Sequence, residues 1–586
     1  MQTQHMSSQK KRKGLSFSSF LSSFFLLIKN KKLLYFIGSF FILVFFLFPV
    51  LRLLYLSFQS DTGLTAANYT AVLAEKETWV TLKNTIYIVS GSTVLAVILG
   101  VFMAWLVAYT NVRGKKWMQL FIFLPFIIPS YVITLAWVQF TGSSGLFTMF
   151  LNIFTNEFQS FNLYSIWGII FIMGISHYPL VYLLTVTVFR KIPRDFEHAS
   201  RVSGLSKTGT FLKVSLPLAL PGITSGGLLA FLANLDNFGI PAFLGIPSNI
   251  KVLSTYIYEQ IVGFGPAAFA RGAALSVLLG VIALIGTVIQ WFLLRRSKQF
   301  ETVSEDTEPR IYLSNGFQKV MEGLVWLFLL TTSLIPLISM AMTSFIRAYG
   351  LEMKLENMSF KNYEFILFDS PKAKTAMMNS LTLAVVTALV CMIIGTFIAY
   401  MRTRQPAVYL KIAELFISIP YALPGTVLAL MMIFAWMEPI PNWNPGIYGS
   451  IWILFIAYIT RFLFLQVRGS ATALQQVELS VEEAAQVCGT NGFYKWKSIL
   501  IPLLLPGIMS GALLVFLFSL TELTLSSLLW SSGSETIGLL IFNFEQAGYS
   551  THSTAFSTLI VICIMLGCIL SFILQKIWSR RVLKNR

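Results

Sequence analysis

Residues 483–502 read EAAQVCGTNGFYKWKSILIP, and residues 198–217 read HASRVSGLSKTGTFLKVSLP. Each stretch opens with two small residues (Ala484 and Ala485, Ala199 and Ser200), then has a glycine four residues on, Gly489 or Gly204. Each closes on a proline thirteen residues later, Pro502 or Pro217, at the edge of a long apolar run. Small side chains let a short helix pack closely, glycine ends that helix, and proline, which needs no partner for an N–H, begins the next one. Two copies of one pattern 285 residues apart point to a duplicated fold.

The correspondence extends in both directions. Downstream, Pro221, Gly222, Ser225, Gly226 and Phe231 match Pro506, Gly507, Ser510, Gly511 and Phe516 at the same offset. Upstream, Asn84, Gly100, Ala104, Pro125 and Pro129 recur 295 residues later as Asn379, Gly395, Ala399, Pro420 and Pro424. The change of offset places about ten extra residues in the first half, between its third and fourth apolar runs.

With 56% hydrophobic residues, 12% charged ones and a mean hydropathy of +0.73, the 586-residue chain is too apolar for a large soluble enzyme. Runs long enough to span a bilayer occur near 34–57, 84–109, 117–140, 164–189, 217–246, 272–294, 320–345, 379–401, 411–437, 448–467, 503–530 and 555–577. The expected fold is an all-α polytopic membrane protein of about 12 transmembrane helices in two tandem six-helix repeats. Six crossings per half give both halves the same orientation, as parallel repeats about an axis along the membrane normal. The expected divisions are an N-terminal segment 1–33, a first domain 34–294, a linker 295–319, a second domain 320–577 and a basic tail 578–586.

The net charge of +18 would suit a nucleic-acid partner if it formed a soluble basic face, but here it punctuates apolar runs, so no nucleic acid is expected. With the N-terminus in the cytoplasm, 33 of the 43 Lys and Arg fall in the termini, the inner loops and the inner helix ends. The positive-inside rule then puts both termini, and both quoted stretches, in the cytoplasm. Basic Lys10, Lys11, Arg12 and Lys13 before apolar residues imitate a signal peptide, but Lys29, Lys31 and Lys32 stand where small cleavage residues belong. The segment reads as retained, with Phe17, Phe20, Leu21, Phe24, Phe25 and Ile28 on one face of a helix lying on membrane lipid. Cys391, Cys488, Cys563 and Cys568 have neither zinc nor redox spacing, and no Gly-x-x-x-x-Gly-Lys-Ser/Thr phosphate loop occurs. The sequence thus shows no cradle of backbone amides and lysine for nucleotide phosphates.

The spacing Glu483-Ala484-Ala485, three residues, Gly489, nine residues, Ile499-Leu500-Ile501-Pro502 resembles the cytoplasmic-loop signature of permease subunits of ABC importers, with Ile501 in place of the usual leucine. The first copy carries the preceding Ile192-Pro193 as well, and departs at His198, where the family has glutamate, with Glu197 beside it. His198 as a cap or a solvent-facing residue is an equal reading. The resemblance implies the type I importer permease fold, in a bacterial cell membrane. It makes His198, Ala199, Ser200 and Gly204, with Glu483, Ala484, Ala485 and Gly489, parts of two coupling helices. These would seat in two copies of an ATP-binding subunit on the cytoplasmic face, which bind ATP and Mg; this chain would hold no cofactor. An extracytoplasmic binding protein would deliver the substrate. Fused halves with Tyr178-Pro179-Leu180-Val181-Tyr182 resemble ferric-iron permeases in particular, although thiamine, polyamine, sulfate and phosphonate importers use similar units.

Ionisable groups within spans are costly and usually face a cavity or a partner. Asp236, Asn237, Glu522 at the repeat position of Asn237, and His177 are therefore candidates for the substrate pathway, with helix-end capping and structural hydrogen bonds as the competing reading. Arg461, in the part of span ten corresponding to His177, is expected to snorkel to the inner surface. Pro125 and Pro129, like Pro420 and Pro424, predict a bend at the same place in both halves. Two other classes compete: a gradient-driven secondary transporter using Asp236 or Glu522 as its ion site, and a membrane-embedded enzyme, for which no catalytic spacing is found.

Overall fold

The computed structural model describes residues 38–60, 63–155, 161–263, 267–294, 305–405, 407–437, 447–490 and 492–584. The expected interfacial helix in 1–33 lies outside them. A lipid-embedded backbone must satisfy its own polar groups, and the apolar runs do so as helices. The first half contains α1 (Gly38–Phe58), α2 (Lys76–Tyr109), α3 (Lys115–Ile127), α4 (Ser130–Thr141), α5 (Ile166–Lys191), the short α6 (Arg194–Val202), α7 (Lys207–Asp236), the short α8 (Gly239–Leu244) and α9 (Ala268–Leu294). The second half repeats the series as α10 (Asn315–Ser344), α11 (Pro371–Arg404), α12 (Val408–Ala422), α13 (Gly425–Trp436), α14 (Ile451–Gln475), α15 (Leu479–Val487), α16 (Trp496–Leu520), α17 (Thr524–Leu529) and α18 (Ser550–Lys584).

Proline shapes these helices in two ways. π-helical turns at Leu43–Leu47, Phe211–Ser215, Leu330–Leu334, Phe365–Asp369 and Trp496–Leu500 each end two residues before a proline: Pro49, Pro217, Pro336, Pro371 and Pro502. Where the helix continues, at Pro49, Pro217, Pro336 and Pro502, proline offers no N–H to the carbonyl four residues back and crowds it with its ring, and one extra residue in the preceding turn relieves both problems, whereas Pro371 follows extended Ser370 and opens α11. Pro217 and Pro502 therefore do not begin a span, as the sequence reading had it. Each sits inside a helical run that starts earlier, at Lys207 and at Trp496.

At Pro129 and Pro424 the outcome is a break. Ile128 (φ −81°, ψ 137°) and Leu423 (φ −85°, ψ 144°) are extended, as a residue preceding proline prefers, and the chain turns by 103° between α3 and α4 and by 110° between α12 and α13. Pro125 and Pro420 stay inside α3 and α12. The predicted bends are present, but the runs 117–140 and 411–437 are not simple spans. The described residues hold ten spanning helices, or up to twelve if each bent pair is one span. The twelve-residue α13 is buried all round, and so is α4 apart from Ser130, as a helix apolar on every face must be.

In each half three helices meet through glycines. A Cβ on Gly100 of α2 would lie 2.6 Å from Val181 of α5, and one on Gly226 of α7 would lie 2.7 Å from the Val181 backbone. Gly395 and Gly511 make the matching approaches to Gln466 of α14, at 2.8 and 3.0 Å. Val181 and Gln466 are 285 residues apart, so Arg461 matches Ser176 rather than His177. The first helices are exchanged between the halves: α1 packs on α13 with Phe45 5.6 Å from Trp436, and α10 packs on α3 and α4 with Trp326 5.6 Å from Phe121. Ser333 of α10 donates to the Phe121 carbonyl at 2.9 Å.

Candidate functional site

The two quoted stretches become α6 and α15 with the turns that follow. Asp195 and Glu197 in the first turn of α6 and Arg201 in its last complement the helix dipole. Gly204 (φ +88°) and Gly489 (φ +74°) take the left-handed conformation that ends each helix, and open space around them shows that the constraint is the backbone and not crowding. His198, Ala199, Glu483 and Ala484 lie on exposed faces, whereas Ser200 faces inward. Repeat-related Val202 and Val487 are 90% and 88% exposed, unusual for valine and identical in placement.

What holds these helices to the bundle is a pair of carboxylates that sequence reasoning passed over, Glu197 and Glu482. Both are buried. Glu482 Oε1 accepts from Arg404 Nε at 2.6 Å, and Oε2 accepts from Lys495 Nζ at 2.8 Å and from the Tyr400 hydroxyl at 3.0 Å. Burial opposes its ionisation, but the hydrogen bonds from Lys495 and Tyr400 and the charges of Lys495 and Arg404 hold it below the usual carboxylate range. The first half solves the same problem differently. Glu197 Oε1 accepts from the Tyr109 hydroxyl at 2.7 Å, from Ser215 Oγ at 2.8 Å and from Arg310 Nη1 at 3.0 Å. Tyr109 occupies the repeat position of Arg404, and the missing cation arrives from the linker. Arg310 also donates to the Ile192 carbonyl at 2.6 Å and lies 5.0 Å from the Tyr109 ring, while Asp306 pairs with Arg194 at 2.5 Å. The signal that could have found these anchors is a glutamate at offset 285 in both copies.

The pathway candidates divide. Asp236, the last residue of α7, accepts from the Gly425 N–H at 2.5 Å and from Arg461 Nη2 at 2.6 Å. Glu522 Oε2 lies 3.9 Å from Arg461 Nε. One carboxylate from the first half thus meets an arginine and a carboxylate from the second. Arg461 does not snorkel: only 6% exposed at mid-helix in α14, it has these carboxylates to satisfy it. Asn237 Oδ1 caps the Ile240 N–H and Glu522 Oε1 caps the Leu525 N–H, each at 2.9 Å, so these repeat partners open α8 and α17 alike. His177 lies apart, its Nδ1 2.6 Å from Asn234 Oδ1, with Asn234 donating to Thr93 at 3.2 Å; it fastens α5, α7 and α2 within one half. Among the described residues no three His, Cys, Asp or Glu side chains gather as metal ligands.

Two like halves, exchanged first helices, broken central spans and a charged contact between the halves define a multi-pass membrane permease. Residues 96–299 and 391–584 each match the binding-protein-dependent transport system inner membrane component family, and the chain belongs to it, as a fused two-domain ABC importer permease and a transport component rather than an enzyme. It is 24% identical over 486 residues to the Fe(3+)-transport system permease protein FbpB 2 of Haemophilus influenzae, covering 82% of this chain and 87% of that one. It is 23% identical over 491 residues to the ferric transport system permease protein FbpB of Actinobacillus pleuropneumoniae, covering 82% and 68%. A crystal structure of a bacterial alginate ABC transporter in complex with alginate pentasaccharide-bound periplasmic protein aligns over 48% of this chain and 98% of its own, with 16% identity and a TM-score of 0.38.

Proposed function

We propose that this chain is the permease of an ATP-driven ferric-iron importer of the bacterial inner membrane, working by alternating access. The observation that carries the coupling reading is the pair of short helices α6 and α15. Each is anchored inward by a buried glutamate and presents an exposed valine and small residues outward. These faces seat in two copies of an ATP-binding subunit, which binds ATP and Mg, on the cytoplasmic side where both termini lie. A binding protein delivers substrate to the opposite face. Closure of the ATP-binding subunits moves α6 and α15, and with them the exchanged helices of both halves. The ferric assignment rests on the two relatives named for ferric transport, which align over most of the chain. Asp236, Asn237 and Glu522 lie on the pathway between the halves, and His177 supports it.

The test is substrate-stimulated ATP hydrolysis by the chain co-purified with its ATP-binding subunit and binding protein. Ferric-loaded binding protein should stimulate hydrolysis, whereas Gly489→Asp, Glu483→Ala and Val487→Asp should uncouple it, the valine change by at least about tenfold through loss of an apolar anchor. Failure of any ATP-binding subunit to associate, with uptake abolished by an uncoupler, would sink the reading and favour a gradient-driven transporter using Asp236 and Glu522. Stimulation by thiamine, polyamine, sulfate or phosphonate loads instead would reassign the substrate alone.

A further inference from the structure

The two broken spans are held by different forces. Asp236, at the end of α7, reaches into the second half, where Oδ1 accepts from the Gly425 N–H at 2.5 Å and Oδ2 from Arg461 Nη2 at 2.6 Å. Gly425 opens α13 directly after the Pro424 break, so a carboxylate of one half caps the half-length helix of the other. On the other side of that break, Glu414 of α12 accepts from Arg402 Nε at 3.0 Å. Arg468 lies 3.4 Å from its second oxygen but is 64% exposed, which leaves that pair weak. None of these charges recurs at the repeat-related positions. Thr521 stands for Asp236, Ser176 for Arg461, and Gln119, Val107 and Leu183 for Glu414, Arg402 and Arg468. Thr521 Oγ1 donates to the Leu517 carbonyl at 2.9 Å and Ser176 Oγ to the Ile172 carbonyl at 2.8 Å, each within its own helix. The first broken span is tied to α10 by neutral contacts instead, the Ser333 hydrogen bond to the Phe121 carbonyl and the Phe121–Trp326 ring contact.

We infer that the α12–α13 span is the wall that moves, latched in this arrangement by Asp236, and that the α3–α4 span is a fixed wall. A charge-assisted hydrogen bond is directional and is lost over a small displacement, whereas apolar contacts slide at little cost. The latch is therefore either made or broken, as a switch requires. The Asp236 side chain is 34% exposed, so water can take over its carboxylate on release, and Glu522 Oε2, 3.9 Å from Arg461 Nε, stands ready to receive the freed guanidinium. The helical run from Lys207 to Asp236 is unbroken, so a push on α6 beside its base reaches α13 at its tip. The first loop helix thus acts on the second half's span, and the two loop helices are not equivalent. This inference goes beyond the transport reading and rests on it only for the use to which the movement is put.

The experiment measures distances between spin labels by double electron–electron resonance on the purified full-length chain in lipid nanodiscs, its four cysteines replaced by alanine, without ATP-binding subunit or binding protein. One label pair is Lys411→Cys on α12 with Leu212→Cys on α7, and the other is its repeat counterpart, Lys116→Cys on α3 with Lys497→Cys on α16, all four positions being exposed. With the latch intact, each pair should give one main distance, any second one holding at most about a tenth of the molecules. Asp236→Ala should shift the ratio of the two populations at least about tenfold for the Lys411 and Leu212 pair, and leave the Lys116 and Lys497 pair unchanged. Thr521→Ala, at the repeat position of Asp236, should change neither pair. Asp236→Ala with Arg461→Gln, which leaves no guanidinium stranded, guards against misfolding and should show the same shift, with monodisperse elution as the check. Its absence there would trace the effect to an unpaired charge and overturn the latch. An unchanged distance in monodisperse Asp236→Ala, or a shift in both label pairs alike, overturns the proposal as well. Because no ATP-binding subunit takes part, a latch found alongside no ferric stimulation of hydrolysis would refute the iron assignment alone, and loss of the latch would leave that assignment untouched.

Discussion

A glutamate one position before a recognisable motif does more for this molecule than the motif's own charged residue. Glu483 and His198 face solvent, while Glu482 and Glu197 are the buried acceptors that fix the loop helices. Removing one member of a buried charge set leaves the others unpaired, at a cost of about 3–5 kcal/mol. Glu482→Gln should therefore lower thermal stability clearly, and Glu483→Gln should leave it within about 0.5 kcal/mol of wild type. The pH dependence has a definite sign. The Glu482 carboxyl is held below its ordinary 4.5, so its contribution is complete above that pH and is lost as pH falls through the depressed folded value. Thermal melts from pH 6 downward should show a loss in wild type below about pH 4.5 that Glu482→Gln flattens. Unchanged profiles would remove Glu482 from its anchoring role.

Among the elements, the linker is the one whose role differs most from its sequence. Charged and lacking periodicity, it reads as a tether between two domains, but its described part lies along α6, with the N–H groups of Arg310 and Ile311 both donating to the Tyr109 carbonyl at 2.8 Å. Arg310 supplies to Glu197 what Arg404, at the end of α11, supplies to Glu482. Arg310→Ala should reduce retention of the ATP-binding subunit on co-purification, and adding Tyr109→Arg, which installs the second half's solution, should recover much of it. Recovery absent in a folded double variant would mean that the linker acts in some other way. The broken spans belong to this scale as well: Pro129 and Pro424 release the preceding residue into extended backbone, whereas Pro125 and Pro420 are accommodated inside their helices. Spacing predicted a bend without saying which proline of each pair breaks the chain, because that depends on whether the following segment has somewhere to be buried.

At the scale of the whole molecule, each half surrenders its first helix to the other. Phe45 on Trp436 and Trp326 on Phe121 tie the halves on opposite sides, so their association does not depend on the covalent link. Co-expressed fragments cut between residues 298 and 304 should co-purify as a complex, and a version of the first fragment lacking residues 1–58 should bind its partner far more weakly. Equal recovery of both would contradict the exchange.

By itself the sequence determined the membrane location, the all-α class, the duplication with its two offsets, the pair of loop helices and the places where proline disturbs a helix. These follow from apolar length, periodicity and local stereochemistry, which act over a few residues and repeat in both halves. Only the tertiary structure decided that the third and ninth runs break at Pro129 and Pro424, each leaving its second part, α4 or α13, as a buried half-length helix, and that Glu197 borrows a cation from the linker. It also showed that Arg461 turns inward to Asp236, 225 residues away in the chain, instead of toward the surface. Such pairings depend on which helices the packing brings together, and a buried charge takes whatever partner that packing supplies.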